Sequence, residues 1–384
     1  MIDMLYLAFK SSWGLDETPL RLVHYTTTRM VLAFLTAFAI TYAISPRVIK
    51  ALYKRSMRDQ VRDYGKEFSQ TKSGTPTMGG LIIIAGILTA AALWCNPRKT
   101  GSAAGMSDLA SAIPLLFMTL LFFGGVGAVD DYLKVKRGGA DSGLSRRMKL
   151  LLQGGFASLF AVLVLSEGSS PFPDGVRDQL YLPGLPPKII PPPELGALYF
   201  GLIVIAFLCI SNAINFADGL DGLAIVPSGM TALVCGVFAY FFSHATLASA
   251  TQLAHLEGMT EVAVFAAAFL GAAVGFLWFN SYPAQVFMGD TGSMAIGGTL
   301  AALCVVTKTE LLFLIAGGIF VYEFLSVFIQ DVIGIRRIGK RLLLRAPAHH
   351  AFQYQGVAET KVVLRFWIVS FLLAVLSLAT LKLR

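Results

Sequence analysis

Long apolar segments recur along the whole chain and dominate its hydrophobic pattern. Each is about 20 residues long, which is enough to cross the roughly 30 Å hydrocarbon core of a bilayer as a helix rising about 1.5 Å per residue. Their approximate bounds are 26–45, 78–97, 112–131, 147–166, 196–216, 222–243, 261–279, 286–306, 310–333 and 362–382. The pattern predicts an all-α polytopic integral membrane protein with about ten transmembrane helices, forming one membrane-embedded domain over 1–384.

The polar segments between these runs fix an orientation. Lys and Arg are concentrated in three of them, 46–75, 132–149 and 334–361, and positive charge is retained on the cytoplasmic side of membrane proteins. With ten spans, all three fall on one side, together with the connections 217–221 and 280–285. We therefore predict that these segments face the cytoplasm and that both termini are periplasmic, in the cytoplasmic (inner) membrane.

Composition agrees with a membrane protein. Hydrophobic residues make up 55% of the chain and charged residues 14%, whereas about a quarter of an average soluble protein is charged. The net charge of +8 is explained by topology and by contact with anionic membrane lipids, so no nucleic-acid partner is predicted. The Pro- and Gly-rich segment 168–195 is predicted to be an external spacer, in the form of a structured or partly extended loop that could contain a short hairpin. The four cysteines lie in or beside apolar spans without metal-site spacing, which favours buried structural thiols.

Five aspartates stand at the predicted cytoplasmic ends of the spans. They are Asp130, Asp131, Asp218, Asp221 and Asp290. The agreement is informative, because only Lys and Arg were used to assign the orientation. Ionisable residues within the membrane cost about 2.5–3.5 kcal/mol each at mid-helix, and the C-terminal end of a helix disfavours carboxylates. A shared site at the cytoplasmic interface would explain the clustering.

The chemistry of this side suits a metal ion and phosphate groups. Mg²⁺ prefers oxygen ligands and commonly takes one or two carboxylates plus substrate phosphates. Lys134 follows Asp130 by four residues, which places both on one helical face. Other basic residues on the same predicted side are Lys72, Lys149, His349 and His350.

Each of these features also has a simpler interpretation when taken alone. The glycine-rich stretch KSGTPTMGG (72–80) could be a tight turn, and it lacks the GK[ST] ending of a P-loop. Asp218 and Asp290 could cap helices, the adjacent aspartates could be solvated, and the two histidines could be ordinary loop residues. Glu323, inside the ninth span, fits a structural polar group better than a catalyst. Their joint occurrence on one side favours a functional site.

Five motifs carry a resemblance to a known family. They are GTPTMGG (74–80), VDDYLK (129–134), NAINFADGLDGLA (212–224), FNSYPAQVFMGDTGS (279–293) and APAHHAF (346–352). Together they resemble the polyprenyl-phosphate N-acetylhexosamine-1-phosphate transferase superfamily, and within it the bacterial phospho-N-acetylmuramoyl-pentapeptide transferases. The likeness runs from about residue 25 to 384. One departure is visible: the family usually has three consecutive histidines in its last cytoplasmic loop, and the third position here is Ala351.

The resemblance implies a reaction and its participants. UDP-N-acetylmuramoyl-pentapeptide and undecaprenyl phosphate would give lipid I and UMP with Mg²⁺ as cofactor, in the first membrane step of peptidoglycan synthesis. Direct attack and a covalent aspartyl-phosphate intermediate are both compatible with the sequence. A homodimer is allowed but not required.

The resemblance also implies residue roles. Asp290 and Asp131 are expected to serve the metal, and Asp130 to accept the proton of the lipid phosphate. The catalytic set is completed by His349 and His350. The expected substrate contacts are Lys72, Thr77, Lys134, Lys149, Asn212, Asn215, Asp218, Asp221, Asn280 and Phe287, the last stacking on uracil. The basic amphipathic segment 332–345 is expected to lie on the membrane surface.

Three rival functions remain open from the sequence. A related enzyme would transfer N-acetylglucosamine-1-phosphate to the same lipid, and competition between UDP-sugars would distinguish the two. A secondary transporter would place its site at mid-membrane in broken helices, whereas these carboxylates cluster at one interface. A membrane scaffold without chemistry would leave the five carboxylates unexplained.

Overall fold

The computed structural model describes residues 1–2, 19–55, 57, 74–96, 112–138, 142–185, 187, 190–256 and 258–381. Lys72 lies outside the described residues. Regular structure within them is helical, apart from isolated bridge residues such as the antiparallel pair Gln179 and Glu194. The predicted all-α class is confirmed for this part of the chain.

The described part of the chain contains thirteen α-helices. In chain order, α1 to α13 span Thr26–Lys54, Gly80–Trp94, Ala112–Arg137, Arg146–Leu165, Ala197–Ala217, Ile225–Ser243, Ala245–Ala250, Met259–Asn280, Gly289–Val306, Phe313–Ala316, Gly318–Phe328, Ala348–Tyr354 and Glu359–Ala379. A 3₁₀-helix at Pro19–His24 precedes α1, and a π-helix at Ile329–Ile338 continues α11.

Among the described residues, nine helices are long and apolar enough to cross a membrane. They are α1, α3, α4, α5, α6, α8, α9, α13 and the continuous helix Gly318–Ile338. The second predicted span, 78–97, corresponds to α2, which has only 15 residues and measures about 22 Å at the usual helical rise. A multi-pass membrane protein is therefore confirmed, with nine spans by this criterion.

Several helix ends differ from the predicted ones. Helix α1 continues to Lys54 and α3 to Arg137, because a helix that leaves the apolar layer keeps its hydrogen-bond ladder and does not have to end there. The start of the ninth span was wrong. Residues 310–317 hold the short helix Phe313–Ala316, and the long helix begins at Gly318.

Two glycines allow α9 to come into close contact with its neighbouring helices. A Cβ on Gly127 of α3 would lie 2.1 Å from the backbone oxygen of Asp290, and one on Gly297 of α9 would lie 2.7 Å from Cα of Ser211 on α5. Small residues allow such contacts between membrane helices. Helix α9 is thereby packed against both α3 and α5, and most of its residues are buried.

The segment 166–196 is fastened to the bundle at the end opposite Asp290. Lys308, which follows α9, donates to the Arg177 carbonyl at 2.7 Å and the Tyr199 hydroxyl at 3.0 Å. Its ammonium lies 4.3 Å from the centroid of the Phe172 ring. Burial lowers the pKa of Lys308 to about 8, against the opposing charge of Glu310. Among the described residues of this segment the possible hairpin is limited to one bridge, and the segment is a structured loop anchored to the bundle.

Candidate active site

Four helix ends converge on one group of polar side chains. Asp130 and Asp131 lie near the end of α3, Asp290 is the second residue of α9, Lys149 lies in the first turn of α4, and Asn215 lies in the last turn of α5. We call this end of the bundle the aspartate end.

Asp130 is completely buried and fully engaged. Its Oδ1 accepts the backbone N–H of Leu144 at 2.7 Å. Its Oδ2 lies 2.8 Å from the Lys134 ammonium and 2.9 Å from the Lys149 ammonium. Because α3 continues past the aspartates, Lys134 reaches back by one helical turn, as the four-residue spacing predicts. The two lysines thus offset the buried negative charge of Asp130, which lies nearly two turns before the end of α3 and not at the end that the sequence predicted.

Asp131 faces a different neighbour. Its Oδ1 accepts the backbone N–H of Asp290 at 3.0 Å. Its Oδ2 accepts the backbone N–H of Thr291 at 2.8 Å and the Thr291 hydroxyl at 2.7 Å. These donors form the first turn of α9, whose N–H groups have no partner within the helix. Asp131 therefore caps α9 from a separate helix, a role that its sequence position alone does not indicate.

Asp290 is the most accessible of the three carboxylates, with 15% of its side chain exposed. Its Oδ2 lies 2.5 Å from the Lys149 ammonium and 3.1 Å from the Lys134 ammonium. Its Oδ1 accepts from the Asn215 amide at 3.2 Å, and that amide also donates to the Ser293 hydroxyl at 2.8 Å. The predictions omitted Ser293, although its place one turn after Asp290 was a usable signal.

The cluster has the chemistry of a divalent-cation site. Asp130, Asp131 and Asp290 each offer a carboxylate oxygen, and these oxygens lie within 4.8 Å of one another. Three carboxylates and two lysines leave one net negative charge. An all-oxygen donor set of this charge fits a hard cation such as Mg²⁺.

The GTPTMGG motif forms the loop that packs beside α9. Phe287 donates its backbone N–H to the Pro76 carbonyl at 2.8 Å, and Gly79 donates its backbone N–H to the Phe287 carbonyl at 2.9 Å. Gly289, at φ 69°, comes so close that a Cβ there would lie 2.7 Å from the Thr77 hydroxyl oxygen and 2.5 Å from Asp131 Oδ2. Thr77 thus borders the carboxylates, and its predicted contact with substrate stays a prediction.

Other predicted contact residues hold neighbouring loops together. The Asn280 side chain accepts the backbone N–H of Gly222 at 3.1 Å and donates to the Val286 carbonyl at 2.9 Å. Asp221 accepts the backbone N–H of Ala284 at 3.0 Å. These bonds join the loop after α5 to the loop before α9. Both side chains are buried, so the structure gives them a positioning contact.

Two further residues of the same motif lie on or after α5. Asn212, one turn before Asn215, donates to the Gln153 side chain at 2.8 Å. Asp218 is the residue at which α5 ends. Asn212 therefore contacts α4, and Asp218 begins the loop that follows α5.

His349 and His350 lie next to the loop that follows α5. His349 is completely buried, and its Nδ1 lies 3.3 Å from Glu323 Oε1, which also accepts the His349 backbone N–H at 3.1 Å. A Cβ on Gly219 would lie 2.3 Å from His349 Nε2. His350 is exposed, with its ring 4.2 Å from that of His349. Glu323 thus orients His349, consistent with its predicted structural role.

Comparisons with known proteins found related sequences along nearly the whole chain. The family model for glycosyl transferase family 4 matches residues 113–308, and signature 1 of phospho-N-acetylmuramoyl-pentapeptide-transferase matches residues 72–84. The phospho-N-acetylmuramoyl-pentapeptide-transferase of Thermodesulfovibrio yellowstonii is 40% identical over 367 residues, covering 95% of this chain and 96% of the relative. The protein of that name from Maridesulfovibrio salexigens is 38% identical over 368 residues, with the same coverage.

Proposed function

Because the chain belongs to the phospho-N-acetylmuramoyl-pentapeptide-transferase family, we propose that it transfers phospho-N-acetylmuramoyl-pentapeptide from its UDP conjugate to undecaprenyl phosphate. The products are lipid I and UMP, in the first membrane step of peptidoglycan synthesis. The observation that carries the proposal is the aspartate–lysine cluster at one end of membrane-spanning helices. There, a lipid phosphate in the membrane and a soluble nucleotide can meet at one surface.

The reaction is a phosphoryl transfer, in which the main task of the protein is to hold the two substrates and not to form bonds with them. An oxygen of the lipid phosphate attacks the phosphorus bound to the sugar. The bond from that phosphorus to the bridging oxygen breaks, and UMP leaves with this oxygen. Catalysis then depends on positioning and on charge neutralisation. Lys134 and Lys149, both partly exposed, are placed to bind the phosphate oxygens.

Asp290 and Asp131 are the proposed Mg²⁺ ligands. Asp290 presents its accessible carboxylate to the site, and Asp131 Oδ1 accepts one described hydrogen bond, which leaves a lone pair for coordination. When bound, Mg²⁺ would offset the negative charge of the diphosphate. Asp131 also orients Asp290 by capping the helix that carries it.

Asp130 is the proposed proton acceptor for the lipid phosphate. In the described arrangement, its Oδ2 lies between the two lysine ammonium groups. Once these lysines turn to substrate phosphates, Oδ2 loses its partners and becomes a stronger acceptor. The hydrogen bond from Leu144 to Oδ1 keeps the carboxylate oriented during this exchange.

The nucleotide is proposed to lie over the loop that follows α5. Asn215 already contacts Asp290, and Asp218 and Phe287, which lie in the loops after α5 and before α9, are proposed to contact the nucleotide as well. His349, oriented by Glu323, and the exposed His350 would contact the pyrophosphate or sugar from the opposite side. The predicted contacts of Lys72, Thr77 and Asn212 complete this proposed rim, and the buried Asp221 and Asn280 hold its loops together.

Release of UMP by the purified protein tests the reaction. We expect release from UDP-N-acetylmuramoyl-pentapeptide only when undecaprenyl phosphate is present, and loss of release in Asp290→Asn. UDP-N-acetylglucosamine as sole donor is the matched control and should give none. Release with that donor, but not with the muramoyl-pentapeptide conjugate, would contradict the proposed function. Stoichiometric release without lipid would indicate a covalent intermediate.

A further inference from the structure

A mostly polar cavity of about 450 Å³ lies at the other end of the bundle. It is bounded by the starts of α1 and α8 and by the end of α6. Helix α8 reaches from Glu261 at this cavity to Asn280 beside the aspartate end, a rise of about 28 Å. The cavity is therefore separate from the site described above and lies on the opposite face of the membrane-spanning bundle.

Two helix N-termini open into this cavity. Helix α1 begins after Tyr25 and α8 after Gly258, and neither residue provides a side-chain cap. Thr26 and Thr27 of α1 and Thr260 of α8 line the cavity. The first N–H groups of a helix lack intrahelical partners and carry partial positive charge. Together they make this wall favourable for an anion.

A buried arginine gives the independent indication of a ligand. Arg29 lines the cavity with 1% of its surface exposed. Its described hydrogen bonds all come from Nη1, to both carboxylate oxygens of Glu261 at 2.9 Å and to the Trp94 carbonyl at 3.3 Å. Its Nε has no partner among the described residues. The guanidinium edge with Nε is a donor pair suited to a bidentate oxyanion.

The negative charge of Glu261 is largely offset by hydrogen bonds within the protein. One oxygen accepts the Asn96 backbone N–H at 2.7 Å, and both contact Arg29. His24 and His244 stand at the same cavity. Nδ1 of His244 lies 2.9 Å from the Tyr240 carbonyl and 2.8 Å from the Ser243 hydroxyl, so this ring nitrogen is engaged within the protein.

We propose that this cavity binds a phosphate group, at the helix starts and the free edge of Arg29, on the membrane face opposite the active site. The phosphate would belong to a phospholipid headgroup or be inorganic phosphate, because both present the same oxyanion. This site does not depend on the proposed transfer reaction, since none of its residues lies at the aspartate end.

Thr27→Glu is the sharpest test. A carboxylate in the first turn favours the helix, so the variant should fold, yet it places a like charge in the cavity. Thr28→Glu is the matched control, because it adds the same charge to the same turn at a residue that does not line the cavity. Binding of inorganic phosphate and of short-chain phosphatidic acid would be measured separately, on protein in dodecyl maltoside micelles, because a phospholipid bilayer would itself supply the phosphate.

We expect Thr27→Glu to weaken binding at least tenfold, while Thr28→Glu stays within about twofold of the parent. Loss for phosphatidic acid alone identifies a lipid headgroup, and loss for both probes identifies the phosphate group itself. Arg29→Lys should weaken binding in the same direction, because the bidentate edge is lost. Equal binding by the parent and both threonine variants, or no binding by the parent, would overturn the proposal.

Discussion

The carboxylate of Asp131 accepts the backbone N–H of Asp290 at 3.0 Å. One candidate site carboxylate thereby sets the position of another, although 159 residues separate them in sequence. Asp130, the adjacent residue, instead pairs with two lysines. Neighbouring residues on a helix point about 100° apart, which allows α3 to serve α9 and α4 at the same time.

This division predicts different consequences for the two asparagine substitutions. Asp130→Asn should lower the maximal rate about 10²–10⁴-fold at saturating Mg²⁺, the usual range for loss of a proton acceptor, and should change the pH profile. Asp131→Asn should mainly raise the Mg²⁺ concentration needed for half-maximal rate, because it weakens the metal site and the start of α9. Initial rates of UMP release across Mg²⁺ and pH measure both. Identical rate loss, pH profile and Mg²⁺ response would instead indicate one shared anionic site.

A second prediction concerns the approach of α3 to α9. Gly127→Ala would place a Cβ 2.1 Å from the Asp290 backbone oxygen, so the start of α9 has to shift. Because displacement of reacting groups by about 1 Å can cost 10²-fold, we expect a loss of roughly that size with membrane insertion retained. Gly125→Ala is the control, since a Cβ there meets nothing within 4 Å. Equal activity of the two variants would contradict the steric argument.

A third prediction tests the orientation in the membrane. The basic segments 46–75, 132–149 and 334–361 should face the cytoplasm. In sealed right-side-out vesicles, Ser142→Cys should resist an impermeant thiol reagent until the membrane is opened. Ser249→Cys, exposed after α6, should react at once. The parent, whose four cysteines are buried or partly buried, gives the background. The reverse labelling pattern would reverse the orientation and move the aspartate end outside.

The sequence predicted those features that depend on residues close together in the chain. The apolar runs located the nine long helices, and the four-residue spacing predicted the contact between Asp130 and Lys134. The cap that Asp131 forms on α9 could not be predicted, because it depends on how two helices distant in sequence pack at Gly127. The pairing of His349 with Glu323 has the same origin. The short helix Phe313–Ala316 was missed because its residues are as apolar as those of the span that follows.

The last prediction follows from the burial of Lys308. Its pKa is lowered from 10.5 to about 8, chiefly by burial, so between these pH values the unfolded chain holds a proton that the folded protein has released. Stability contributed by this group must therefore rise with pH across that interval. The upper limit is about 3 kcal/mol, at 1.36 kcal/mol per pKa unit. Thermal unfolding in nanodiscs at several pH values should show this rise in the parent and in Lys340→Met, an exposed control. Lys308→Met should lack it, and parallel pH profiles for all three proteins would show that Lys308 stays charged in its aromatic surroundings.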